Sequence, residues 1–206
     1  ASERLASLMG PEIFDFPKDE QIIQSFIEMA TSHFKDECII MDFFAGSATT
    51  AHAVMQLNAA DGGKRRFVMV QLPEACAEKS EAFKAGYRTI SEIAKERIRR
   101  AGTSIKADNS STTPNIDIGF RVLKIDTSNM KDVYYAPDEV KQDQLELHTN
   151  NIKEDRTTED LLFQVLVDWG VELSLPIARE TILSKQVFFV DGNALTACFE
   201  SGISED

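Results

Sequence analysis

Between Asp42 and Thr50 this chain places a carboxylate, a glycine and several hydroxyls in quick succession: Asp42-Phe43-Phe44-Ala45-Gly46-Ser47-Ala48-Thr49-Thr50. A carboxylate accepts hydrogen bonds from an amine or hydroxyl of a ligand. Gly46 permits backbone angles that other residues resist and lets a ligand approach the main chain closely. Ser47, Thr49 and Thr50 are residue types that begin helices, so free N–H groups are expected at the turn. Such a turn can hold a dinucleotide, a phosphate or an adenosyl group, and it can equally be an ordinary strand-to-helix connection. The glycine spacing departs from the Gly-x-Gly-x-x-Gly dinucleotide pattern, and no Gly-Lys-Ser/Thr follows as in a phosphate-binding P-loop.

The elements around this turn follow from the hydrophobic pattern. The apolar, β-branched run at 38–44 predicts a buried strand, followed by a helix at about 49–58. Asp61-Gly62-Gly63 turns the chain into a second apolar strand at 66–72, as expected of a parallel strand covered on both faces. A helix at 19–34 precedes the first strand, with Ile22, Ile23, Phe26, Ile27 and Ala30 on one face. A long helix is expected at about 80–100, with Phe83, Tyr87, Ile90 and Ala94 buried and Gly102 as its stop. The order β–α–β–α makes the fold class α/β, half of a doubly wound sheet, and puts a ligand at the carboxyl ends of the strands.

Residues 103–117 are polar and turn-rich and are expected to form a loop or linker. The alternation at 120–125 predicts a strand, and 137–158 a polar, exposed helix and loop. Residues 159–169 form an amphipathic helix on Leu161, Leu162, Val165 and Leu166, and Trp169 is expected in a core or interface. Residues 186–190 and 194–200 flank Asp191-Gly192-Asn193 as a hairpin. The divisions are therefore 1–102, a linker at 103–117 and a C-terminal α+β extension at 118–206.

At 206 residues the chain can bury a real core. No apolar stretch is long enough to span a membrane. Cys38, Cys76 and Cys198 lack metal-ligand spacing and suggest reduced thiols in a cytoplasmic protein. The net charge of -12 argues against a main DNA-gripping surface, which needs clustered Lys and Arg. Lys64-Arg65-Arg66 is a local basic group. Lys95, Arg97, Arg99 and Arg100 are expected to close a helix, where cations favour the dipole. His52, inside a helix, is expected to be packed or solvated rather than catalytic.

The wording of the turn resembles a particular family. Asp42-Phe43-Phe44-Ala45-Gly46-Ser47, continuing as Thr49-Thr50-Ala51-His52-Ala53-Val54-Met55, resembles the S-adenosylmethionine motif of type III restriction–modification methylation (Mod) subunits. These are DNA adenine-N6 methyltransferases of the permuted beta motif order. Phe14-Asp15-Phe16-Pro17-Lys18 resembles the motif that precedes the cofactor strand. Residues 58–63 and 66–74 resemble the second strand and its acidic loop, and 86–90 and 96–100 resemble the next helix.

The resemblance implies a Rossmann-like methyltransferase sheet and S-adenosylmethionine as cofactor. Asp42 would accept from the methionine amino group, and the backbone of Phe44, Ala45 and Gly46 would approach the cofactor. Ser47 and Thr49, with helix N–H groups, would meet the carboxylate. Glu74 would accept the ribose hydroxyls, with Leu72 or Pro73 beside the adenine. Lys18 would close over the methionine end. No metal ligand is implied. Adenine-N6 methylation uses an Asp-Pro-Pro-Tyr type motif, and none of the six prolines here adjoins another. No catalytic residue is therefore assigned, and the chain resembles a carboxyl-side part of a longer subunit, inactive alone. Implied partners are DNA, through regions mostly outside this segment, a second Mod subunit and the restriction subunit Res. The alternative is a non-catalytic assembly module. The family commonly has glycine where Ala48 stands, so a left-handed backbone there would weaken cofactor binding.

Overall fold

The computed structural model describes residues 1–36, 38–131 and 151–203. The chain divides into two compact units, Ala1–Phe120 and Arg121–Asp206. The first contains α1 (Ser2–Met9), α2 (Glu20–Thr31), β1 (Ile39–Asp42), α3 (Thr49–Asp61), β2 (Arg66–Met69), α4 (Glu81–Lys84) and α5 (Ile90–Asp108). Strands β1 and β2 are parallel, in register from Ile39 opposite Arg66 to Asp42 opposite Met69. The first unit is thus a mixed helix and sheet structure, in keeping with the α/β class.

Helix α3 explains how this unit closes. Alanines and other apolar side chains surround it, so it can pack on several sides at once. Ala48, Ala51, Met55 and Ala59 meet Ala94, Ile98, Ala101 and Ile105 of α5. Ala53, Val54 and Leu57 meet Ile27 of α2, with Ile40 and Phe67 of the strands beside them. Alanine lets two helices approach closely at little conformational cost. The turn into β2 is closed by polar groups. Asn58 donates to the Arg65 carbonyl at 2.9 Å and accepts from the Arg65 N–H at 3.1 Å. Arg65, from the basic group at 64–66, is buried and pairs with Asp61 at 2.8 Å.

Several expectations need correction. On α2, Ile27 is buried but Ile22 and Phe26 are 57% and 60% exposed, because only one narrow side of this helix meets α3. The helix expected at 80–100 is two helices. A capping box, in which Thr89 and Glu92 satisfy each other's backbone N–H groups, starts α5 afresh. Helix α5 then runs past Gly102 to Asp108. Gly102 is a close-approach point: a Cβ there would lie 3.0 Å from Ile118 Cβ. The buried stripe of Ile98, Ala101 and Ile105 carries the helix through it. On the other face of the two-stranded sheet, Ile39, Met41 and Val68 are exposed to solvent.

The second unit holds α6 (Thr158–Asp168), β3 (Ile177–Ile182), β4 (Lys185–Val190) and β5 (Leu195–Ala197). The strands form one antiparallel sheet in the order β3-β4-β5. The expected hairpin around 191–193 is β4–β5, and β3 is an additional strand. Leu162 and Leu166 of α6 pack on Phe188, Val190 and Leu195. Trp169 ends α6 and is 70% exposed, so it lies outside this core. Residues 120–125 form no strand. Their alternation suits extended chain, but among the described residues no strand pairs with them; Arg121 instead donates to the carbonyls of Leu173 and Leu175. The helix and loop expected at 137–158 lie largely outside the described residues.

The fully buried Leu166 supplies the second unit's most direct test. Leu166→Ala should lower the stability of this unit by about 2–5 kcal/mol. Urea unfolding followed by Trp169 fluorescence checks this, and a change below about 1 kcal/mol would contradict the assigned core.

Candidate functional site

At the carboxyl ends of β1 and β2 the chain makes a tight loop that leads into α3. Asp42 organises its start. One carboxylate oxygen accepts from the Phe44 N–H at 3.1 Å and the other from the Thr50 hydroxyl at 2.6 Å. Lone pairs remain on both oxygens. The loop is stitched to the strand end beside it: the Ala45 N–H donates to the Val70 carbonyl at 3.1 Å and the Gly46 N–H to the Gln71 side chain at 2.7 Å. Gly46 has φ 52°, and a Cβ there would lie 3.3 Å from Phe14 Cζ. The Phe14–Lys18 segment therefore reaches the loop through the Phe14 ring. Lys18 itself is exposed.

The helix cap differs from the expectation. The N-cap of α3 is Ala48, with φ 60° and ψ 40°, and no side chain caps the helix. The first-turn N–H groups of Thr49, Thr50 and Ala51 therefore have no intrahelical partner. Ala48 occupies the left-handed conformation on which the resemblance turned. For a non-glycine residue this costs about 1–2 kcal/mol, and such conformations persist where the surroundings over-determine them. The hydroxyls of Ser47 and Thr49 point inward, where each accepts from Nη1 of Arg97 at 2.7 Å. Each charge-assisted bond contributes about 1.5–3 kcal/mol, enough together to hold the strained turn. Ser47 and Thr49 thus offer a ligand their backbone more than their hydroxyls.

Arg97 escapes the sequence argument. It lies in the body of α5, not at its end, and is 1% exposed. Its placement on the stripe of Ile93, Ala94, Ile98 and Ala101 is the signal that could have found it. Nη2 lies 3.6 Å from Glu20 Oε2, an ion pair too long for a hydrogen bond. Glu20, 2% exposed, is held by Arg4 through its other oxygen. Burial lowers the Arg97 pKa to about 10, with the Glu20 charge opposing, so it stays cationic at neutral pH.

Of the remaining sequence-derived residues, Phe44 and Glu74 lie at the surface. Phe44 is 87% exposed, whereas Ala45 is buried. Glu74 is exposed, its carboxylate 3.5 Å from the Gln71 amide nitrogen, and its carbonyl accepts from the Ile90 N–H at 2.9 Å. Gln71 thus links the Gly46 backbone to the Glu74 segment. Among the described residues no group of three or more His, Cys, Asp or Glu could hold a metal ion. No helix among them is long and apolar enough to cross a membrane.

His52, one turn into α3, sits within the field of Arg97. Burial, reinforced by Arg97, pushes its pKa down from 6.5 to about 4. The unfolded chain then binds the proton more tightly than the folded one. The stability contributed by neutral His52 is complete above about pH 6.5 and is lost as pH falls toward about 4. Between about pH 7.5 and 5 the loss is at most about 2 kcal/mol. His52→Gln should lose about 1–2 kcal/mol less than the unaltered chain over that interval in urea titrations. Equal losses would count against a buried neutral histidine.

No family model matches the chain. It is similar to the Mod subunit of the type III restriction-modification enzyme StyLTI of Salmonella typhimurium, at 42% identity over 125 residues, covering 61% of this chain and 18% of that protein. It is also similar to the EcoPI Mod subunit of Escherichia phage P1, at 36% over 123 residues, 60% of this chain and 18% of the relative. The type II methyltransferase M.KpnI of Klebsiella pneumoniae is 37% identical over 98 residues, 48% of this chain and 23% of that protein. The matched segments span less than a quarter of each of these relatives. Over about 60% of its length, this chain is homologous to the Mod subunits of type III restriction-modification enzymes.

Proposed function

We propose that this chain is the S-adenosylmethionine-binding part of a type III Mod subunit, a DNA adenine-N6 methyltransferase. The observation that carries this is the loop of Asp42–Thr50: a carboxylate at a strand end beside an uncapped helix N-terminus. Those groups suit the zwitterionic methionine end of the cofactor. Asp42 would take the amino group, directly or through water, and the first-turn N–H groups with Ser47 and Thr49 would take the carboxylate. Phe44, Ala45 and Gly46 would form the close backbone wall, with Lys18 closing over the methionine end. Glu74 would take the ribose hydroxyls. When bound, S-adenosylmethionine supplies the methyl group; the described residues bind and orient it.

In this proposal β1 and β2 belong to a Rossmann-like methyltransferase sheet. The exposed apolar face of Ile39, Met41 and Val68 supports it, since parallel strands are normally covered on both faces. Residues 1–102 supply the cofactor side, 103–117, of which 103–108 complete α5, lead out of it, and 118–206 form a C-terminal extension. DNA recognition and the acidic-Pro-Pro-aromatic catalytic motif would come from other parts of a cytoplasmic subunit that pairs with a second Mod and with Res. The acidic net charge of -12 fits a segment that does not itself grip DNA.

Titration calorimetry with S-adenosylmethionine tests the site. Asp42→Ala should abolish binding while the chain still unfolds cooperatively, at a cost of about 1–3 kcal/mol for the lost bonds to Phe44 and Thr50. Binding at unaltered affinity would overturn the assignment. The 206-residue chain should transfer no methyl group to duplex DNA, and measurable methylation by it would contradict the division of labour proposed here.

A further inference from the structure

The residues on either side of Ala48 share one partner. A single guanidinium nitrogen of Arg97 spends its hydrogens on Ser47 Oγ and Thr49 Oγ1, both at 2.7 Å. The residue between them is the left-handed Ala48. Every group in this arrangement is nearly inaccessible: Arg97, Glu20, Ser47 and Thr49 are 1%, 2%, 2% and 5% exposed. The loop conformation is thus tied to α5 by a cation that solvent does not screen.

We propose that Arg97 is a positioning residue for the Asp42–Thr50 loop, setting the turn that presents its backbone to the cofactor. By taking both hydroxyl oxygens inward, Arg97 leaves the helix N–H groups to a ligand. It also keeps Ala48 in a conformation that alanine does not choose for itself. The functional half of this inference rests on the cofactor site proposed above; the positioning half does not.

The anchor continues behind Arg97. Glu20 faces Nη2 and is itself held by Nε of Arg4, whose Nη2 pairs with Asp19. Asp19 caps α2, and the Phe14–Lys18 segment runs directly into it. Phe14 in turn lies against Gly46. Two routes, one apolar and one ionic, therefore join the segment that carries Lys18 to the loop that carries Asp42. Arg97 Nε and Glu20 Oε2 have no hydrogen-bond partner, although both are buried. The guanidinium is committed to the loop at the expense of part of its own hydrogen bonding. Lysine could supply charge here but not the fixed fork that reaches the hydroxyls and Glu20 together.

The test uses the whole chain in four forms: unaltered, R97Q/E20Q, S47A/T49A and the variant that combines all four changes. The first variant removes both buried charges, so that neither is left unpaired. The second keeps the Arg97–Glu20 pair and removes only the acceptors. Amide hydrogen exchange at residues 44–51 should speed up roughly tenfold or more in each variant, while exchange in the second half of α3 stays protected. Affinity for S-adenosylmethionine should fall about tenfold or more in both. The four changes combined should do little further harm, because the groups act as one unit. A merely structural arginine would lower overall stability without singling out the loop. Unaltered exchange at 44–51, or losses that simply add, would overturn the assignment. If R97Q/E20Q fails to fold, S47A/T49A decides by the same readouts. If the unaltered chain gives no heat with S-adenosylmethionine but the loop still loosens, the cofactor site is wrong and the positioning role stands.

Discussion

The burial of α3 on several sides is the constraint on which the first unit depends. Its alanines allow α5 to come close on one side and α2 and the strands on another. Such burial also removes water from the side chains of Ser47 and Thr49 at the start of the helix. Any hydroxyl or charge there must find a partner inside the protein. Arg97 answers that requirement for Ser47 and Thr49, and Glu20 answers it for Arg97. The same desolvation holds His52 neutral beside them. One packing arrangement therefore accounts for a buried cation, a buried carboxylate and a histidine that resists protonation.

The loop shows how local strain and long-range bonding balance. Ala48 has a left-handed backbone, and an isolated turn of this sequence would prefer glycine there. Two charge-assisted bonds flank it, the Ala45 N–H is taken by Val70 and the Gly46 N–H by Gln71. These links come from two distant parts of the chain, α5 and the residues just after β2. A ligand meeting this loop would meet a backbone already ordered, so less conformational entropy would be lost on binding. The cost of the left-handed Ala48 is thus met by bonds within the fold.

The two units differ in what they leave uncovered. In the first, the apolar outer face of β1 and β2 is at odds with the usual burial of parallel strands. In the second, three antiparallel strands and α6 enclose a core of their own. An antiparallel sheet can face water on one side, so this unit asks less of its surroundings. The relatives are several times longer than the matched segments.

Much of this was legible in the sequence. Hydrophobic periodicity and turn residues located β1, α3, β2, α6 and the β4–β5 hairpin, because those signals act over a few residues. The Asp42–Thr50 loop stood out for the same reason, and its wording pointed to the Mod subunits to which the chain is homologous. Where long-range packing competes with local preference, the pattern failed. Gly102 reads as a helix stop, yet Ile118 crosses α5 there and needs the missing Cβ. Ile22 and Phe26 read as core, yet only one side of α2 meets a neighbour. Residues 120–125 alternate like a strand, but a strand exists only when another pairs with it. Arg97 reads as a surface cation at a helix end, and tertiary structure turned it into the buried hub of the loop. The sequence by itself determined which groups surround the turn, since residue types and local spacing are written in it. Only the tertiary structure decided that Ser47 and Thr49 turn inward to Arg97, because a partner 48 or 50 residues away is chosen by packing and not by periodicity.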